Sequence, residues 1–321
     1  MEIGGYMELE HLPQHPWHSS VYELNLGRTA LTFYLKSVGC RKLLLPYYLC
    51  DSVIDACRKA DIPLEFYRID QNLAPLLDRK PKKEEYLYIV NYYGQITNDQ
   101  VLALKNAYGN IILDNTHAFY QPALKGVPTI YSVRKFFGVS DGAYLSCDEK
   151  LELPKEIDQS HNRMGHLLGR FERSASEYYQ TMLDNAHAFT DAIPMQMSPL
   201  TRNILGAIDY EAVKKQRKKN YRYLSERLDN TNIMNHITPQ VPYVYPLHVK
   251  NGADIRKKLA ARNIYIPCNW SNVVKEQEST SIEYDFAANI LPLPCDQRYD
   301  RWAMEHLADS VLEILQEADM N

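Results

Sequence analysis

The stretch YSVRKFFGVSDG, residues 131–142, decides the fold class of this chain. It contains Lys135, and Ser132 stands three residues before that lysine. An earlier apolar segment, Ile111 to Leu113, ends directly at Asp114. Apolar runs of this kind indicate buried strands, and the polar residues that follow them gather at the carboxyl edge of a parallel sheet. The sequence therefore predicts a lysine and a carboxylate in one pocket.

A lysine amine and a buried carboxylate are two groups that a pyridoxal phosphate site needs. The lysine holds the cofactor aldehyde as a Schiff base, and the carboxylate pairs with the pyridinium nitrogen, which keeps the ring an electron sink. An unpaired buried carboxylate is expensive, so Asp114 needs a partner of this kind. The alternative interpretation is a surface lysine together with a strand-end acid that caps the next turn.

The chain resembles the DegT/StrS-type sugar aminotransferases, which are fold-type I pyridoxal phosphate enzymes. Asp114-x-x-His117-Ala118 resembles the Asp-x-x-(Gln/His)-Ala segment of that family. Ser132-x-x-Lys135-x-x-Gly138, followed by Asp141-Gly142, resembles its lysine turn and the strand start after it. Weaker similarities extend nearly from end to end, at residues 4–10, 27–31, 45–48, 291–294 and 297–299.

The resemblance implies a role for each candidate site residue. Lys135 and Asp114 are the expected catalytic residues, and His117 is expected near the phenolic oxygen or the ring of pyridoxal 5'-phosphate. The cofactor phosphate is expected against Ser132 and against the turn Gly27-Arg28-Thr29, because a helix N-terminus attracts phosphate. Tyr6, Arg163 and Arg170 are candidate substrate contacts, with surface or interface salt bridges as the alternative for the two arginines, and no metal site is expected.

The residue that stacks on the cofactor ring is left open by the sequence. Many relatives carry a large aromatic residue after the second strand, whereas counting from Pro46 gives Leu49 or Cys50 at that place. Tyr47 and Tyr48 are the alternatives, because the register of the segment is not fixed.

The resemblance implies a pyridoxal phosphate-dependent aminotransferase that acts on a keto sugar in polysaccharide biosynthesis. The sugar is expected to be nucleotide-linked and the amino donor to be glutamate. An elimination or dehydration on the same fold and a non-catalytic protein that retains the fold are the alternatives. The presence of Lys135 favours transamination over the dehydratase relatives in which His replaces that lysine.

Composition agrees with a cytoplasmic enzyme that handles small molecules. The 321 residues are 45% hydrophobic and 24% charged with a net charge of −4, which gives no reason to expect nucleic acid or a membrane as partner. Six cysteines without a Cys-x-x-Cys pair are expected to be free thiols in a reducing compartment. Relatives are homodimers with shared sites, and the 24 tyrosines suit either an interface or a core.

Hydrophobic periodicity predicts an α/β protein with two domains. In the first half, strands at 42–46, 64–67, 86–90, 110–113, 129–131 and 143–146 alternate with helices at 28–38, 51–60 and 97–107, which favours a mostly parallel sheet flanked by helices. The large cofactor-binding domain, with an N-terminal arm, is predicted to span residues 1–195.

The second half is predicted to form a smaller α+β domain, residues 196–321. Residues 151–190 have a mostly helical and polar pattern that precedes it. Within it the pattern predicts helices at 209–228, 252–262 and 299–317 and strands at 243–249, 264–266 and 289–291.

Overall fold

The computed structural model of the chain describes residues 3–319, and within them ten strands alternate with eleven α-helices. The strands are β1 Tyr22–Leu24, β2 Lys42–Pro46, β3 Leu64–Ile69, β4 Pro75–Leu76, β5 Glu85–Val90, β6 Ile111–Asp114, β7 Thr129–Ser132, β8 Ala143–Ser146, β9 Val244–His248 and β10 Ile290–Pro294.

The helices connect and cover these strands. They are α1 Gly27–Ser37, α2 Asp51–Lys59, α3 Asn98–Tyr108, α4 Gly165–Glu172, α5 Tyr179–His187, α6 Pro199–Gly206, α7 Tyr210–Leu228, α8 Gly252–Ala261, α9 Ser271–Glu276, α10 Ile282–Asn289 and α11 Arg301–Asp319.

Eight strands form one mixed sheet in the order β1-β8-β7-β6-β5-β2-β3-β4. The five central strands, from β7 to β3, run parallel, and antiparallel neighbours close both ends of the sheet. The side chains of Leu43, Leu44 and Leu45 are all buried, as expected for a strand covered on both faces. The mostly parallel α/β sheet with flanking helices that the sequence predicts is therefore confirmed.

The carboxyl ends of the parallel strands meet at one edge of the sheet. Asp114 is the last residue of β6 and Ser132 is the last residue of β7, and the two strands are hydrogen-bonded neighbours. Ligands of open α/β sheets bind at this edge. The sheet thus brings the predicted acid and the predicted lysine turn to the same place.

The second half of the chain adds a small antiparallel sheet, in which β9 pairs with β10. Helices α7, α8 and α11 pack around it, and their apolar residues share one core, which includes Leu224, Leu259 and Val311. A separate aromatic core around Phe119 and Tyr210 joins the large sheet to the helices after it.

Two details of the sequence-based prediction are wrong. Residues 264–266 are not a strand, although Ile266 is buried. The sequence pattern of three apolar residues is the same for a loop that packs on a core and for a short strand, so periodicity cannot distinguish the two. Residues 151–160 are irregular rather than helical, and the first α-helix of this region begins at Gly165, after a 3₁₀ turn at His161–Arg163. The proposed division at residues 195 and 196 stays a prediction.

Most tyrosines are used inside the chain. Thirteen of the 24 are buried, among them Tyr34, Tyr88 and Tyr221. Tyrosine supplies apolar area while its hydroxyl finds a partner; the Tyr92 hydroxyl, for example, donates to the carbonyl of Tyr48 at 2.6 Å. The tyrosine content therefore does not by itself call for a subunit interface.

Candidate active site

A cleft of about 2610 Å³ opens at the carboxyl edge of the large sheet. Its walls come from both halves of the chain. The first half contributes Gly27, Arg28, Cys50, Asp114, His117, Ser132, Arg134 and Lys135, and the second half contributes Arg217, Tyr243, Arg256, Trp270 and Arg298.

Lys135 ends a 3₁₀ turn, Val133–Lys135, that directly follows β7. The first residue of this turn contacts Gly142: the Val133 amide donates to the Gly142 carbonyl at 3.3 Å. Gly142 has a φ of 114°, and a Cβ there would lie 2.5 Å from Val133 Cγ2, so the contact requires glycine. The Lys135 side chain is exposed to the cleft, with Nζ 6.0 Å from the centre of the Tyr243 ring.

Asp114 is buried at the end of β6 and is held by two donors. The Tyr88 hydroxyl donates to Oδ2 at 2.7 Å, and the Thr116 amide donates to Oδ1 at 2.8 Å. Burial raises the pKa of Asp114 above its ordinary value, although these two hydrogen bonds and the nearby Lys135 act in the opposite direction. The carboxylate is thus fixed in orientation and lacks full charge compensation.

His117 lies between two aromatic rings. Its imidazole stacks on Tyr243, with ring centres 4.4 Å apart, and on Tyr93 at 5.7 Å. The Tyr93 amide donates to Nδ1 at 3.3 Å. Burial, with a further contribution from Lys135, holds the pKa of His117 well below its usual range, so the ring is neutral near pH 7.

The N-terminus of α1 opens into the same cleft. A Cβ on Gly27 would lie 3.9 Å from Ser132 Cβ and 4.0 Å from Thr116 Oγ1, so this helix end adjoins the ends of β6 and β7. Its N-cap residue, Leu26, provides no side-chain cap, and its first turn contains no acidic residue. The first amides of a helix have no partner within it and attract anions.

The turn Gly27-Arg28-Thr29 was predicted to contact the cofactor phosphate, but its three side chains do not all face the cleft. Gly27 and Arg28 line the cleft. The hydroxyl of Thr29 is instead buried against Asn25, to which it donates at 2.5 Å, so only its backbone amide remains for a ligand. The cofactor role of this turn stays a prediction.

The three candidate substrate residues do not lie together. Arg170 on α4 lines the cleft. Arg163 forms an ion pair with Asp158 at 2.9 Å and is not among the residues that line the cleft. Tyr6, in the N-terminal arm, is 99% exposed. Their substrate roles stay predictions.

The segment after β2 presents Leu49 and Cys50 to the cleft. Tyr48 is buried behind them, where its hydroxyl lies 3.1 Å from that of Tyr93. Other segments also bring aromatic rings to the cleft, among them His117, Tyr243 and Trp270. Trp270 also has a left-handed backbone, with a φ of 56°, which is uncommon for a bulky residue.

Arg217 of α7 is a wall residue that the sequence did not single out for the site. It is 1% exposed, and its guanidinium donates to the carbonyls of Phe136 at 3.3 Å, Pro242 at 3.1 Å and Tyr243 at 3.0 Å. Its Nε donates to Gln297 at 2.8 Å. Arg217 therefore ties the residue after Lys135 to the segment that carries the Tyr243 ring.

Among residues 3–317, no group of three or more His, Cys, Asp or Glu side chains is arranged to hold a metal ion. None of the helices within the described residues has the length and apolar character to cross a bilayer. The six cysteines form no disulfide with one another.

No protein-family model matches the chain, and no curated protein sequence matches it. Solved structures do. DesV of S. venezuelae, in complex with a ketimine intermediate, is 15% identical and has a TM-score of 0.65, over 94% of this chain and 85% of that chain. A putative sugar aminotransferase of Streptococcus pneumoniae, Spr1654 in its PLP form, is 12% identical with a TM-score of 0.64, over 92% and 87%.

A third similar structure is a DegT DnrJ EryC1 StrS aminotransferase from Brucella abortus, which is 11% identical and has a TM-score of 0.61, over 92% of this chain and 85% of that chain. At such identities the similarity establishes a shared architecture. The chain has the fold of the DegT/StrS-type, fold-type I aminotransferases, as the sequence predicted.

Proposed function

We propose that this protein is a pyridoxal phosphate-dependent aminotransferase that acts on a keto sugar. One observation carries the proposal: Lys135 and the buried Asp114 stand at the ends of adjacent strands and line the same cleft. The fold shared with sugar aminotransferases supports it. The reaction itself rests on that similarity and on the two sequence motifs.

The residues of the cleft fit pyridoxal 5'-phosphate. Asp114 is a buried carboxylate whose pKa is raised, so a cationic ring nitrogen would supply the charge it lacks. Lys135 provides a primary amine that is exposed to the cleft. The uncapped N-terminus of α1 offers free amides to a phosphate, beside Ser132.

The family resemblance suggests the roles of these residues, and the arrangement is compatible with them. When bound, the cofactor supplies an electron sink next to the amino group that is transferred. Asp114, held in place by Tyr88 and Thr116, would keep the ring nitrogen protonated. Lys135 would hold the cofactor aldehyde, and its amine, once freed by the amino donor, would accept the proton from the α-carbon of that donor. His117 would face the cofactor as a neutral imidazole.

Finer features of the activity follow from the resemblance. We infer that the sugar is nucleotide-linked, that glutamate is the amino donor, and that the product enters polysaccharide biosynthesis in the cytoplasm. Arg170, which is exposed at the cleft, is a candidate contact for the anionic part of such a substrate.

We also infer a homodimer. Helices α4 and α5 border the cleft and leave large apolar side chains in solvent, with Phe171 92% exposed, Leu168 61% and Tyr179 58%. A surface of this kind, together with the exposed arm that carries Tyr6, suits a second copy of the chain. Light scattering should then give about twice the 37.2 kDa chain mass.

Covalent trapping tests the cofactor role. The protein is incubated with pyridoxal 5'-phosphate, reduced with borohydride and mapped by mass spectrometry. We expect the label on Lys135 and its loss in Lys135→Ala, whereas Lys125→Ala, which removes an exposed lysine, should be labelled like the parent. A label on another lysine would refute the assignment.

The reaction type requires a second measurement. The loaded enzyme is mixed with single amino donors, and the release of the corresponding keto acid is measured before keto sugars are added as acceptors. Release of 2-oxoglutarate from glutamate supports transamination. Labelling of Lys135 without keto acid from any donor would instead favour an elimination or dehydration.

A further inference from the structure

A groove of about 540 Å³ lies apart from the cleft and shares no lining residue with it. One wall is a stripe of helix α7, whose residues recur every three or four positions and so share one helix face: Lys218, Tyr221, Arg222 and Ser225. The other wall comes from residues 238–242, namely Thr238, Pro239, Gln240 and Pro242. We call it the α7 groove. Its volume is that of a site for a small molecule.

The α7 groove carries positive charge that the protein does not neutralise. Lys218 and Arg222 stand one helical turn apart, and both are exposed. The ion pairs of α7 involve Lys214 and Arg227 instead. Within residues 3–317, neither Lys218 nor Arg222 has a carboxylate within ion-pair distance, and no acidic residue lines the groove.

An acid close to one end of the groove, Asp229, is engaged by other groups. It accepts from the Ser225 hydroxyl at 2.6 Å and from the Tyr245 hydroxyl at 2.6 Å. Its Oδ1 also lies 3.2 Å from His236 Nε2. Because Asp229 does not line the groove and its oxygens are already hydrogen-bonded, it leaves the two cations open to a ligand.

The floor of the α7 groove is apolar and firmly held. Tyr221 is 1% exposed, and Pro239 and Pro242 are buried. The Tyr221 hydroxyl donates to the carbonyl of Ile237 at 3.2 Å. The side chain of Gln95 accepts from the Ile237 amide at 2.7 Å and donates to its carbonyl at 3.1 Å. The groove therefore has a defined shape before any ligand binds.

These features select one class of ligand. Two cations one turn apart match a phosphate monoester, which carries between one and two negative charges near pH 7. The exposed side chains of Thr238 and Gln240 add neutral donors at the rim. An aromatic ring and two prolines in the floor suit a flat apolar ring next to the phosphate.

One wall of the α7 groove continues directly into the cleft. Pro242 lines the groove, and the next residue, Tyr243, lines the cleft, where its ring stacks on His117. Arg217, which precedes Lys218 on α7, donates to the carbonyls of Pro242 at 3.1 Å and Tyr243 at 3.0 Å. A ligand in the groove would thus contact the segment that positions the Tyr243 ring.

We infer that the α7 groove is a regulatory site for a small phosphate monoester that carries a flat ring, and that its occupation changes the affinity of the cleft for its own ligand. The binding site does not rest on the proposed function, whereas its effect on the cofactor does. Phenyl phosphate serves as the probe, because it combines the phosphate and the ring.

Calorimetry with phenyl phosphate tests the site. The protein is first loaded with pyridoxal 5'-phosphate and reduced with borohydride, so that the cleft is occupied. We expect Lys218→Met and Arg222→Met each to weaken binding about fivefold or more, since each removes a charged donor. Gln240→Glu, which adds a carboxylate to the groove without changing its size, should weaken binding as well.

Two controls separate the groove from the rest of the surface. Lys219→Met removes an exposed lysine of α7 that does not line the groove, and it should bind like the parent. Arg222→Lys keeps the charge and should retain most of the affinity, while thermal melting shows that each variant is folded. Equal affinity in the parent, Lys218→Met, Arg222→Met and Gln240→Glu would overturn the site.

Hydrogen exchange tests the link to the cleft. Phenyl phosphate should slow amide exchange in residues 237–243 of the parent but not of Arg222→Met. It should also change the affinity of the unreduced parent for pyridoxal 5'-phosphate. Direct competition in the cleft would persist in Arg222→Met, so the part of the change that this variant abolishes measures the coupling. An identical change in parent and variant would overturn the regulatory role.

Failure of the proposed function would look different. The cofactor would then leave no label on Lys135 after borohydride reduction, while phenyl phosphate would still bind to the cofactor-free protein in an Arg222-dependent way.

Discussion

Arg217 contacts the residue after the lysine turn and Arg134 belongs to the turn itself, and the two arginines differ in almost every other respect. Arg217 donates to the carbonyl of Phe136, the residue after Lys135. Its other donors form hydrogen bonds with the carbonyls of Pro242 and Tyr243 and with the side chain of Gln297. Arg134 precedes Lys135 and lies near the guanidinium groups of Arg28 and Arg163 as well as the carboxylate of Asp141. Arg217 is thus satisfied by several carbonyl oxygens, whereas Arg134, within the described residues, forms no ion pair.

The comparison separates two uses of a buried positive charge. Carbonyl oxygens can compensate a guanidinium when several converge on it, and the arginine then joins segments distant in sequence. A guanidinium close to other guanidinium groups is destabilised by charge repulsion, and a bound anion can relieve that repulsion. Substitution should therefore have opposite consequences for the stability of the cofactor-free protein at the two positions.

The largest effect is expected for Arg217→Met. The substitution leaves the carbonyls of Pro242 and Tyr243 without their donor in a buried setting, and we expect it to lower the free energy of unfolding by about 3 kcal/mol. Urea denaturation followed by fluorescence measures this change.

Arg222→Met provides the control for this prediction. Arg222 lies on the same helix, α7, but is exposed, so its replacement should change the free energy of unfolding by less than about 0.5 kcal/mol. Equal effects of Arg217→Met and Arg222→Met would show that the carbonyl contacts contribute little.

The sequence predicted the part of the site that depends on local patterns. Asp114 and Lys135 each follow an apolar strand, and a parallel sheet brings such strand ends to one edge, so their proximity could be derived before the structure. The strand at 42–46 and the helix at 252–262 were predicted for the same reason, because periodicity is a local signal.

The rest of the site depends on contacts between segments far apart in the chain. Helical spacing puts Arg217 on the side of α7 that carries Tyr221 and Leu224, but it does not reveal that the partner is the carbonyl of Phe136, 81 residues away. The Thr29 hydroxyl points away from the cleft because it donates to the side chain of Asn25, four residues earlier. The two side chains meet only when the chain has folded. Arg134 stands beside Lys135 in the sequence, but only the fold brings it together with Arg28 and Arg163 at Phe189.

An intermediate effect on the free energy of unfolding is expected for Asp114→Asn, which removes a buried negative charge. The pKa of Asp114 is raised in the folded protein, so ionisation of the carboxyl disfavours the cofactor-free folded state. This cost is fully present above the raised pKa and disappears as the pH falls to the value of the unfolded chain. The asparagine variant should therefore gain stability relative to the parent at neutral pH.

Urea denaturation of the cofactor-free parent and of Asp114→Asn from pH 4 to pH 8 measures that gain. It should shrink as the pH falls, while the exposed Asp55→Asn should show no such trend. A gain that stays constant or grows toward low pH would contradict the assignment of the raised pKa. Pyridoxal 5'-phosphate should stabilise the parent more than the variant, because only the parent can pair with a ring cation.

The smallest effect, and the one of opposite sign to Arg217→Met, is expected for Arg134→Met. Methionine keeps apolar contact with Phe189 but removes one of three mutually repelling charges, so the cofactor-free protein in an anion-poor buffer should become more stable, by up to about 1 kcal/mol. Urea denaturation in an anion-poor buffer measures the difference, with Arg173→Met, which removes an exposed charge paired with Glu177, as the control. A loss of stability in the anion-poor buffer would mean that Arg134, like Arg217, is satisfied by the protein itself.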